Sequence, residues 1–410
     1  TVTLTTALVT FDPWLAISRE EFVARQARAR EAAREAGFDG AVVYSRGGAF
    51  VDMHADVLYL TNHYSQQPYV GDEAGIGSAR SHGVCILPVD GPTTVVVDVP
   101  WWRKDLVVAD DIRPSIHVTP TVVEALKQAG LADGRLALVG ASYMTAAAYL
   151  GLAEGLPDAD LVRADQLVEK LRLIKSPAEL EIIRRACAVG NATLEALVDA
   201  VVEGATEAQA VGEASRVLIS QGGVLYDAAA GSGPWAHQYT HARLPSADPN
   251  RRFERGDLFH VDCYGAYGGY LFDFARSRVV GDDPTDEQLQ LLDAVIEPVE
   301  ATCAQIKPGM TAGEVYAITA EWLANNEFVS SIPEEEPEME SFPAVGHGLG
   351  LMWEAPWLVE NDPMVIERNM YIAVEVLLGH PSVGGAQFEH NGLVTEGGFE
   401  VLTTARSRWW

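Results

Sequence analysis

The sequence is poor in cysteine and in basic residues, and it has no long apolar run. Its cysteines, Cys85, Cys187, Cys263 and Cys303, are scattered among 410 residues without a paired spacing. They therefore indicate neither a zinc knuckle nor a disulfide framework, and we expect the reduced thiols of a cytoplasmic protein. No apolar stretch approaches the roughly 20 residues that span a bilayer. Residues 1–10 have no basic stretch ahead of an apolar core, so we expect no signal peptide.

The shortage of basic residues excludes two classes of partner. Lysine and arginine number 29 against 58 aspartates and glutamates, which gives a formal net charge of −29 at pH 7. Nucleic acids and anionic membrane surfaces are bound by basic patches, so we expect neither as a partner. The hydrophobic content of 48% predicts a globular, soluble protein. Because 410 residues exceed one typical hydrophobic core, we expect two domains.

The first domain is expected over residues 1–165, where helical and strand-like segments alternate. They are a helix over 19–36, strands over 38–44, 57–60 and 136–139, and a hairpin of 83–87 and 93–97. The hairpin turns at Asp90-Gly91, a dipeptide typical of tight turns. This pattern predicts a small mixed α/β domain.

Residues 166–410 contain a weak internal repeat. Ser176, Pro177 and Glu179 form the N-cap pattern of a helix over 177–202, and a second helix is predicted over 206–220. Two more helices, over 285–306 and 312–327, precede a second apolar hairpin in the same order. Two similar halves would place both hairpins near the centre of one domain, around a pseudo-twofold axis. The acidic stretch 333–343 is expected to be an exposed loop.

Each hairpin carries two carboxylates. Asp262 and Asp273 are eleven residues apart, with their midpoint between Tyr267 and Gly268, which predicts that they are direct cross-strand partners on one face. Glu375 and Glu389 are fourteen apart around residue 382, so the same is expected of them.

Such a set of carboxylates requires a cation. Opposed like charges destabilise a sheet, and unpaired buried carboxylates would be forced to bind protons. Two divalent cations would balance four carboxylates, and His347, flanked by Gly346 and Gly348, is the expected imidazole ligand. A single such carboxylate is more often at a strand edge, and a lone histidine is more often structural, but the joint pattern predicts a metal site.

The ordered set Asp262, Asp273, His347 in Gly-His-Gly-Leu-Gly, Glu375 and Glu389 closely resembles the pita-bread metallopeptidase family, which includes aminopeptidase P, prolidase and creatinase. The segments Leu-Ile-Lys-Ser-Pro-Ala-Glu over 173–179, Gly-Asp-Leu over 256–258 and Leu-Tyr-Leu-Thr-Asn over 58–62 also match. The resemblance implies an α+β fold. A creatinase/prolidase-type N-terminal domain over 1–165 would precede a pita-bread catalytic domain over 166–410, whose helices surround a curved antiparallel sheet. It also implies that all five residues bind two divalent ions, Mn, Zn, Fe or Co, with Asp273 and Glu389 bridging.

Three positions depart from the pattern of hydrolytic relatives. Glu354 stands where they place a second histidine, unless a one-residue slip puts Trp353-Glu354-Ala355-Pro356 in place of His-Glu-x-Pro. Gln387 replaces an arginine two residues before the last glutamate. The earlier active-site histidine has two candidates, His241, which fits better, and His237.

The resemblance and its departures lead to three hypotheses for function. The first is a metal-dependent hydrolase of a small amide or Xaa-Pro-like dipeptide, a cytoplasmic homodimer in which Glu375 takes the proton of a metal-activated water and His241 stabilises the tetrahedral intermediate. Glu354 is a further catalytic candidate. The second is a lyase similar to dimethylsulfoniopropionate lyase, with Tyr264, Tyr239 or Glu354 as base, although Tyr264 stands where that group has an extra aspartate. The third is a non-enzymatic binding protein.

Overall fold

A computed structural model of the chain describes residues 11–47, 52–72, 75–239, 247–332 and 343–409. The chain divides into two compact units, Thr1–Leu173 and Ile174–Trp410. The predicted acidic loop over 333–343 lies outside the described residues except for Pro343. In the described part of the chain, no helix combines the length and the apolar character needed to cross a membrane.

The first unit is built on one six-stranded mixed sheet. Its elements are α1 (Arg19–Glu35), β1 (Gly40–Arg46), α2 (Ala55–Thr61), β2 (His82–Pro88), β3 (Thr94–Val97), β4 (Asp111–Pro114), α3 (Val118–Gln128), β5 (Arg135–Val139), α4 (Ala146–Gly155), β6 (Asp160–Arg163) and α5 (Gln166–Arg172), with a 3₁₀ turn at Asp52–His54. The strand order is β4-β3-β2-β1-β5-β6, and the strands pair antiparallel from β1 to β3 and parallel elsewhere. Apolar residues of the sheet, α3 and α4 form its core.

One predicted element of this unit is wrong. The run over 57–60 was expected to be a strand, but it belongs to α2, all of whose residues are buried. A short run that is apolar on every side has no periodicity that separates a helix from a strand. The helix ends at Asn62, whose left-handed backbone (φ 57°) lets its N–H bond to the Leu58 carbonyl. The hairpin of β2 and β3 is confirmed.

The second unit contains two antiparallel sheets and four helices among the residues described. Its elements are α6 (Pro177–Asp199), α7 (Glu207–Ser220), β7 (Val224–Ser232), β8 (Leu258–Tyr267), β9 (Tyr270–Val279), α8 (Asp286–Cys303), α9 (Ala312–Ala324), β10 (Gly346–Leu349), β11 (Trp353–Trp357), β12 (Tyr371–His380), β13 (Gly384–Thr395) and β14 (Gly398–Val401), with 3₁₀ turns at Gly233–Trp235 and Val329–Ser331. One sheet has the order β7-β8-β9 and the other β11-β10-β12-β13-β14. The order of helix pairs and hairpins confirms the predicted repeat.

The helices begin where their capping residues predict. Ser176, Thr206, Thr285 and Thr311 each accept a hydrogen bond from the third helical N–H, and the side chain of that third residue bonds back to the cap. These reciprocal bonds satisfy donors that the first turn leaves free. Three of the helices end about three residues earlier than the apolar periodicity indicated, which is the usual uncertainty of a helix end.

The register of one hairpin agrees with the prediction and that of the other does not. Glu375 lies directly opposite Glu389 in the β12–β13 ladder, as expected. In the β8–β9 ladder, however, Asp262 lies opposite Ala275, and Asp273 lies opposite Tyr264. The predicted direct pairing of the two aspartates is therefore wrong by two residues.

The turn explains this register. Tyr267 pairs with Tyr270, so the hairpin closes on the two residues Gly268 and Gly269, both with positive φ (60° and 87°). A two-residue turn of this kind matches the twist of the strands and requires residues that tolerate positive φ. Because the shift is even, both aspartates still project from the same face of the sheet.

Candidate metal centre

The five predicted ligands come together in two overlapping groups. Carboxylate and imidazole atoms of Asp273, His347 and Glu389 lie within 4.8 Å of one another, and so do carboxylate atoms of Asp262, Glu375 and Glu389. We call the first group the imidazole position and the second the carboxylate position. Glu389 belongs to both groups. Four of the five residues are buried, and Glu375 is partly exposed. The arrangement provides two sets of donors for divalent cations.

A fully buried asparagine connects the two hairpins. The side-chain oxygen of Asn391 accepts hydrogen bonds from the Asp273 backbone N–H (2.9 Å) and from the Tyr371 hydroxyl (3.1 Å). Its amide donates to the Asp273 carbonyl and, at 3.5 Å, to Oε1 of Glu389. Asn391 was not predicted, although it stands two residues after Glu389 and therefore on the same face of β13.

Arg276 supports the same strand from behind. Its guanidinium is fully buried, donates to the Glu389 carbonyl (2.6 Å) and also donates to the carbonyls of Thr403, Ala405 and Arg406 near the end of the chain. Burial lowers the pKa of Arg276 to about 9, well below its usual range. The side chain thereby connects the backbone of a candidate ligand to the C-terminal segment.

His347 is held in an orientation suited to metal binding. A Cβ on Gly346 would lie 2.1 Å from the Ala373 carbonyl oxygen, and one on Gly348 would lie 2.1 Å from that of Ala355, so the flanking glycines allow both neighbouring strands to approach. Nδ1 of His347 is 3.2 Å from the Gly348 carbonyl oxygen. With the proton on Nδ1, the lone pair of Nε2 faces carboxylate oxygens of Asp273 and Glu375, each 3.7 Å away.

Metal-free, this arrangement is electrostatically unfavourable. Burial, followed by the neighbouring carboxylates, raises the pKa values of Asp273, Glu375 and Glu389, and burial raises that of Asp262. Burial also lowers the pKa of His347 to about 4, so the imidazole is neutral at pH 7. Oδ1 of Asp262 and Oδ1 of Asp273 are buried without a hydrogen-bond partner. Unpaired carboxylate oxygens beside a neutral imidazole are the donors that a divalent cation requires, so the residues fit a metal ion.

Two aromatic side chains donate hydrogen bonds to the aspartates, and the amide side chain of Gln387 lies near Asp262 and Glu375. The Tyr239 hydroxyl donates to Oδ2 of Asp262 (2.9 Å), and the Trp353 indole N–H donates to Oδ2 of Asp273. Burial raises the pKa values of Asp262 and Glu375, and the nearby Gln387 side chain offsets part of this rise. The donor role of Trp353 was not predicted. The signal for it in the sequence was the one-residue slip, which places Trp353 where hydrolytic relatives have a histidine.

A cavity of about 850 Å³ opens on the candidate ligands. Its walls are mostly aromatic and aliphatic, and its polar groups converge on the ligand set, which is the usual character of a small-molecule site. The described lining includes His237, Gln238, Tyr239, Asp262, Tyr264, Asp273, Tyr316, Leu323, Val345, His347, Trp353, Trp357, Glu375, Val376, Leu377, Leu378 and Gln387.

The remaining catalytic candidates are placed differently. Glu354 is buried and its Oε1 is 2.7 Å from Nζ of Lys175, so it belongs to a buried ion pair and not to the described cavity lining. Its position gives no support to a catalytic role, and Trp353 occupies the cavity wall instead. His241 lies in 240–246, outside the described residues, whereas His237 lines the cavity.

The raised pKa values predict how stability depends on pH without metal. The pKa of Glu375 is raised from 4.5 to about 8, so the folded state retains a proton that the unfolded chain releases. Between about pH 7 and 8 the free energy of unfolding should therefore fall as pH rises, by up to about 1.4 kcal/mol per pH unit for each such proton. His347 and His390, whose pKa values are lowered from 6.5 to about 4 and about 3, have the opposite effect only below about pH 6.5.

The measurement is the thermal unfolding midpoint of chelator-treated protein at pH 7, 7.5 and 8. Added divalent cation should raise the midpoint most at pH 8, where protons compete least. A midpoint of the metal-free protein that rises over this interval would contradict the assignment of these pKa shifts.

Comparison with known proteins agrees with this geometry. The family model of metallopeptidase family M24 matches residues 181–396, and that of the creatinase/prolidase N-terminal domain matches residues 25–174. An Xaa-Pro dipeptidase of Pyrococcus furiosus is 29% identical over 248 residues, 59% of this chain and 66% of that protein. One of Pyrococcus horikoshii is 28% identical over 59% of this chain and 65% of that protein, so the match spans slightly less than two thirds of either relative.

The structural comparison shows the fold. The structure titled as an Xaa-Pro dipeptidase from Bacillus anthracis matches with a TM-score of 0.75 and 24% identity, over 94% of this chain and 98% of that one. The predicted fold class and family resemblance are confirmed. Membership of a metallopeptidase family is consistent with the expected divalent metal cofactor. Because the M24 model covers more than half of the chain, the protein belongs to metallopeptidase family M24.

Proposed function

We propose that the protein is a metal-dependent hydrolase that cleaves a small amide or an Xaa-Pro-like dipeptide. The observation that supports this most directly is the pair of donor groups sharing Glu389 at the end of a largely apolar cavity. Bound divalent cations would polarise a substrate carbonyl and activate a water molecule for attack on it.

The side chains of the cavity divide the remaining tasks. Glu375 is the least buried of the four carboxylates, with 15% of its side chain exposed, and it lines the cavity. It is therefore the best placed to accept the proton of the attacking water. His237 lines the same cavity and can donate a hydrogen bond to a developing oxyanion, a role that we had expected of His241.

We propose two metal ions, one at each position, among Mn, Zn, Fe and Co. The imidazole position offers one nitrogen and carboxylate oxygens, a donor set suited to borderline ions such as Zn²⁺. The carboxylate position offers oxygen only, which suits harder ions such as Mn²⁺.

The lyase hypothesis has less support. Its three candidate bases are Tyr239, Tyr264 and Glu354. In the metal-free protein burial raises the pKa values of both tyrosines, and the Tyr239 hydroxyl donates a hydrogen bond to Asp262, which gives neither tyrosine the character of a free phenolate base. Glu354 is paired with Lys175. The relatives reported above are named dipeptidases, and that activity is the one we propose here.

Activity against a substrate panel tests the proposal. Chelator-stripped protein should be inactive, and reconstitution with Mn²⁺, Zn²⁺, Co²⁺ or Fe²⁺ should restore cleavage of Xaa-Pro dipeptides or of small amides. The release of free proline or amine is measured by chromatography, with sulfonium and betaine compounds as the lyase control. Elimination without amide cleavage under any of these metals would refute hydrolysis.

Location and assembly are further parts of the proposal. All four cysteines are free and buried, which agrees with a reducing compartment such as the cytoplasm. We propose a homodimer by analogy with the family, and light scattering of the purified protein measures its mass in solution.

A further inference from the structure

Tyr264 lies on the face of β8 that carries a candidate ligand. It stands two residues after Asp262 and directly opposite Asp273 in the β8–β9 ladder. Side chains two residues apart on a strand share a face of the sheet, and so do direct cross-strand partners. The Tyr264 side chain therefore projects on the same face as both aspartates, and it lines the cavity.

The ring of Tyr264 is held by Trp353. The two rings pack edge-on, with centroids 5.3 Å apart at 78°, which is a favourable arrangement for an aromatic pair. The indole is itself held in place, because its N–H donates to Oδ2 of Asp273. The phenol of Tyr264 is thus packed against a side chain that is bonded to the candidate metal centre.

The hydroxyl of Tyr264 is a free donor at this site. Tyr264 is half-buried, and its hydroxyl makes no hydrogen bond to any residue that the structure describes. The other two aromatic donors on this face are already engaged, the Tyr239 hydroxyl by Asp262 and the Trp353 indole by Asp273. Tyr316 also lines the cavity, but it belongs to α9 and not to a strand that carries a ligand. Tyr264 therefore offers its O–H to a molecule bound beside the ligand set.

A donor at this place suits the carbonyl oxygen of an amide that is being cleaved. Water adds to the carbonyl carbon, the π electrons of the C=O bond move onto the oxygen, and Glu375 takes a proton of the water. The C–N bond then breaks, and that proton passes to the departing nitrogen. Between these steps the oxygen is negatively charged, so a donor that is already aimed at it favours this state over the neutral amide.

We propose that Tyr264 is a catalytic residue, whose hydroxyl donates a hydrogen bond to the carbonyl oxygen of the scissile amide as that oxygen gains negative charge. His237, proposed above as a donor to the same oxygen, belongs to the segment after β7, so the two donors are held by different parts of the chain. This inference rests on the proposed hydrolase function. It gives Tyr264 the role of a donor, where the lyase hypothesis gives it the role of a base.

The variant Tyr264→Phe tests the inference, because it removes the hydroxyl and retains the ring that packs on Trp353. With metal-loaded protein and the most rapidly cleaved substrate of the panel described above, kcat should fall by about 100- to 1,000-fold, the usual effect of losing one oxyanion donor. KM should stay within about threefold of wild type, since the bond forms chiefly as charge develops on the oxygen.

Two binding measurements separate this role from a structural one. Calorimetric titration of metal-free Tyr264→Phe with Mn²⁺ should give affinities within about threefold of wild type. Metal-loaded protein is then titrated with the phosphinic analogue of Ala-Pro, whose charged tetrahedral oxygens stand in for the oxyanion, and with proline. The variant should bind the phosphinic analogue at least about tenfold more weakly and proline equally well.

Tyr270→Phe is the matched control. Tyr270 belongs to the same hairpin, but its hydroxyl donates to Glu179 (2.9 Å) and it is not part of the described cavity lining. Its rate and binding constants should therefore stay within about threefold of wild type. Unfolding midpoints of both metal-free variants establish that they are folded.

The outcomes distinguish this inference from the proposed function. Amide cleavage by Tyr264→Phe at a kcat within about threefold of wild type, or a loss confined to KM, would overturn the inference and leave the hydrolase proposal intact. A fall in kcat matched by a fall in Mn²⁺ affinity would also overturn it, because Tyr264 would then act through Trp353 and Asp273. Wild-type protein that cleaves no amide would refute the hydrolase proposal and the inference with it.

Discussion

Replacement of Glu389 by glutamine is expected to remove both metal-binding steps and to lower kcat/KM by at least about a thousandfold. Glu389 belongs to both the imidazole and the carboxylate positions, and it is buried. An amide offers a neutral oxygen in place of a charged bridging carboxylate. Metal activation supplies several kcal/mol of transition-state stabilisation, and about 1.4 kcal/mol corresponds to a factor of ten in rate.

A folding defect would be distinguished from a loss of ligand by stability without metal. The pKa of Glu389 is raised by burial and by the nearby carboxylates, so the neutral amide relieves repulsion. Metal-free Glu389→Gln should therefore unfold at the same temperature as metal-free wild type at pH 8, or at a higher one. The exposed Glu396, changed to glutamine, is the control and should retain both binding steps. Two binding steps of native affinity in Glu389→Gln would contradict the shared-ligand assignment.

The grouping of the five ligands could be predicted because it follows from local rules. Hairpins return their two strands to one face, and a repeat of helix pair and hairpin places two such faces at the centre of one domain. The pairing of Glu375 with Glu389 followed from this reasoning alone. The pairing of Asp262 with Asp273 did not, because the Gly268–Gly269 turn sets a register that a midpoint calculation ignores.

The surroundings of the ligands could not be predicted, because they depend on contacts between distant segments. Trp353 reaches Asp273 across 80 positions of sequence, and Asn391 reaches it across 118. Neither contact follows from periodicity, spacing or composition. The choice between Trp353 and Glu354 for the place of the second histidine also needed the structure. Burial beside Lys175 identifies Glu354 as an ion-paired glutamate and not as one that faces the substrate.

The second large effect is expected at Arg276, where substitution by methionine should lower the free energy of unfolding by about 3–5 kcal/mol. The guanidinium donates to five backbone carbonyls, those of Ala275, Glu389, Thr403, Ala405 and Arg406, and it packs 4.3 Å from the ring centroid of Phe388. Methionine retains much of the apolar contact but leaves the carbonyls without their donor. Each unsatisfied buried acceptor costs about 1–3 kcal/mol, partly recovered by relaxation and water.

Thermal and urea unfolding of the metal-free protein measure this effect, and we expect the midpoint to fall by roughly 10 °C. Arg184→Met is the matched control, because Arg184 makes a two-bond ion pair with Glu400 at the surface and should contribute at most about 1 kcal/mol.

Arg276→Lys keeps the charge but replaces the planar guanidinium by a single ammonium group that cannot reach carbonyls on both sides. Its loss of stability should therefore be intermediate. If Arg276→Met were no less stable than Arg184→Met, the C-terminal segment would be held by other contacts. Because Arg276 also donates to the carbonyl of Glu389, the same variant should weaken both metal-binding steps together.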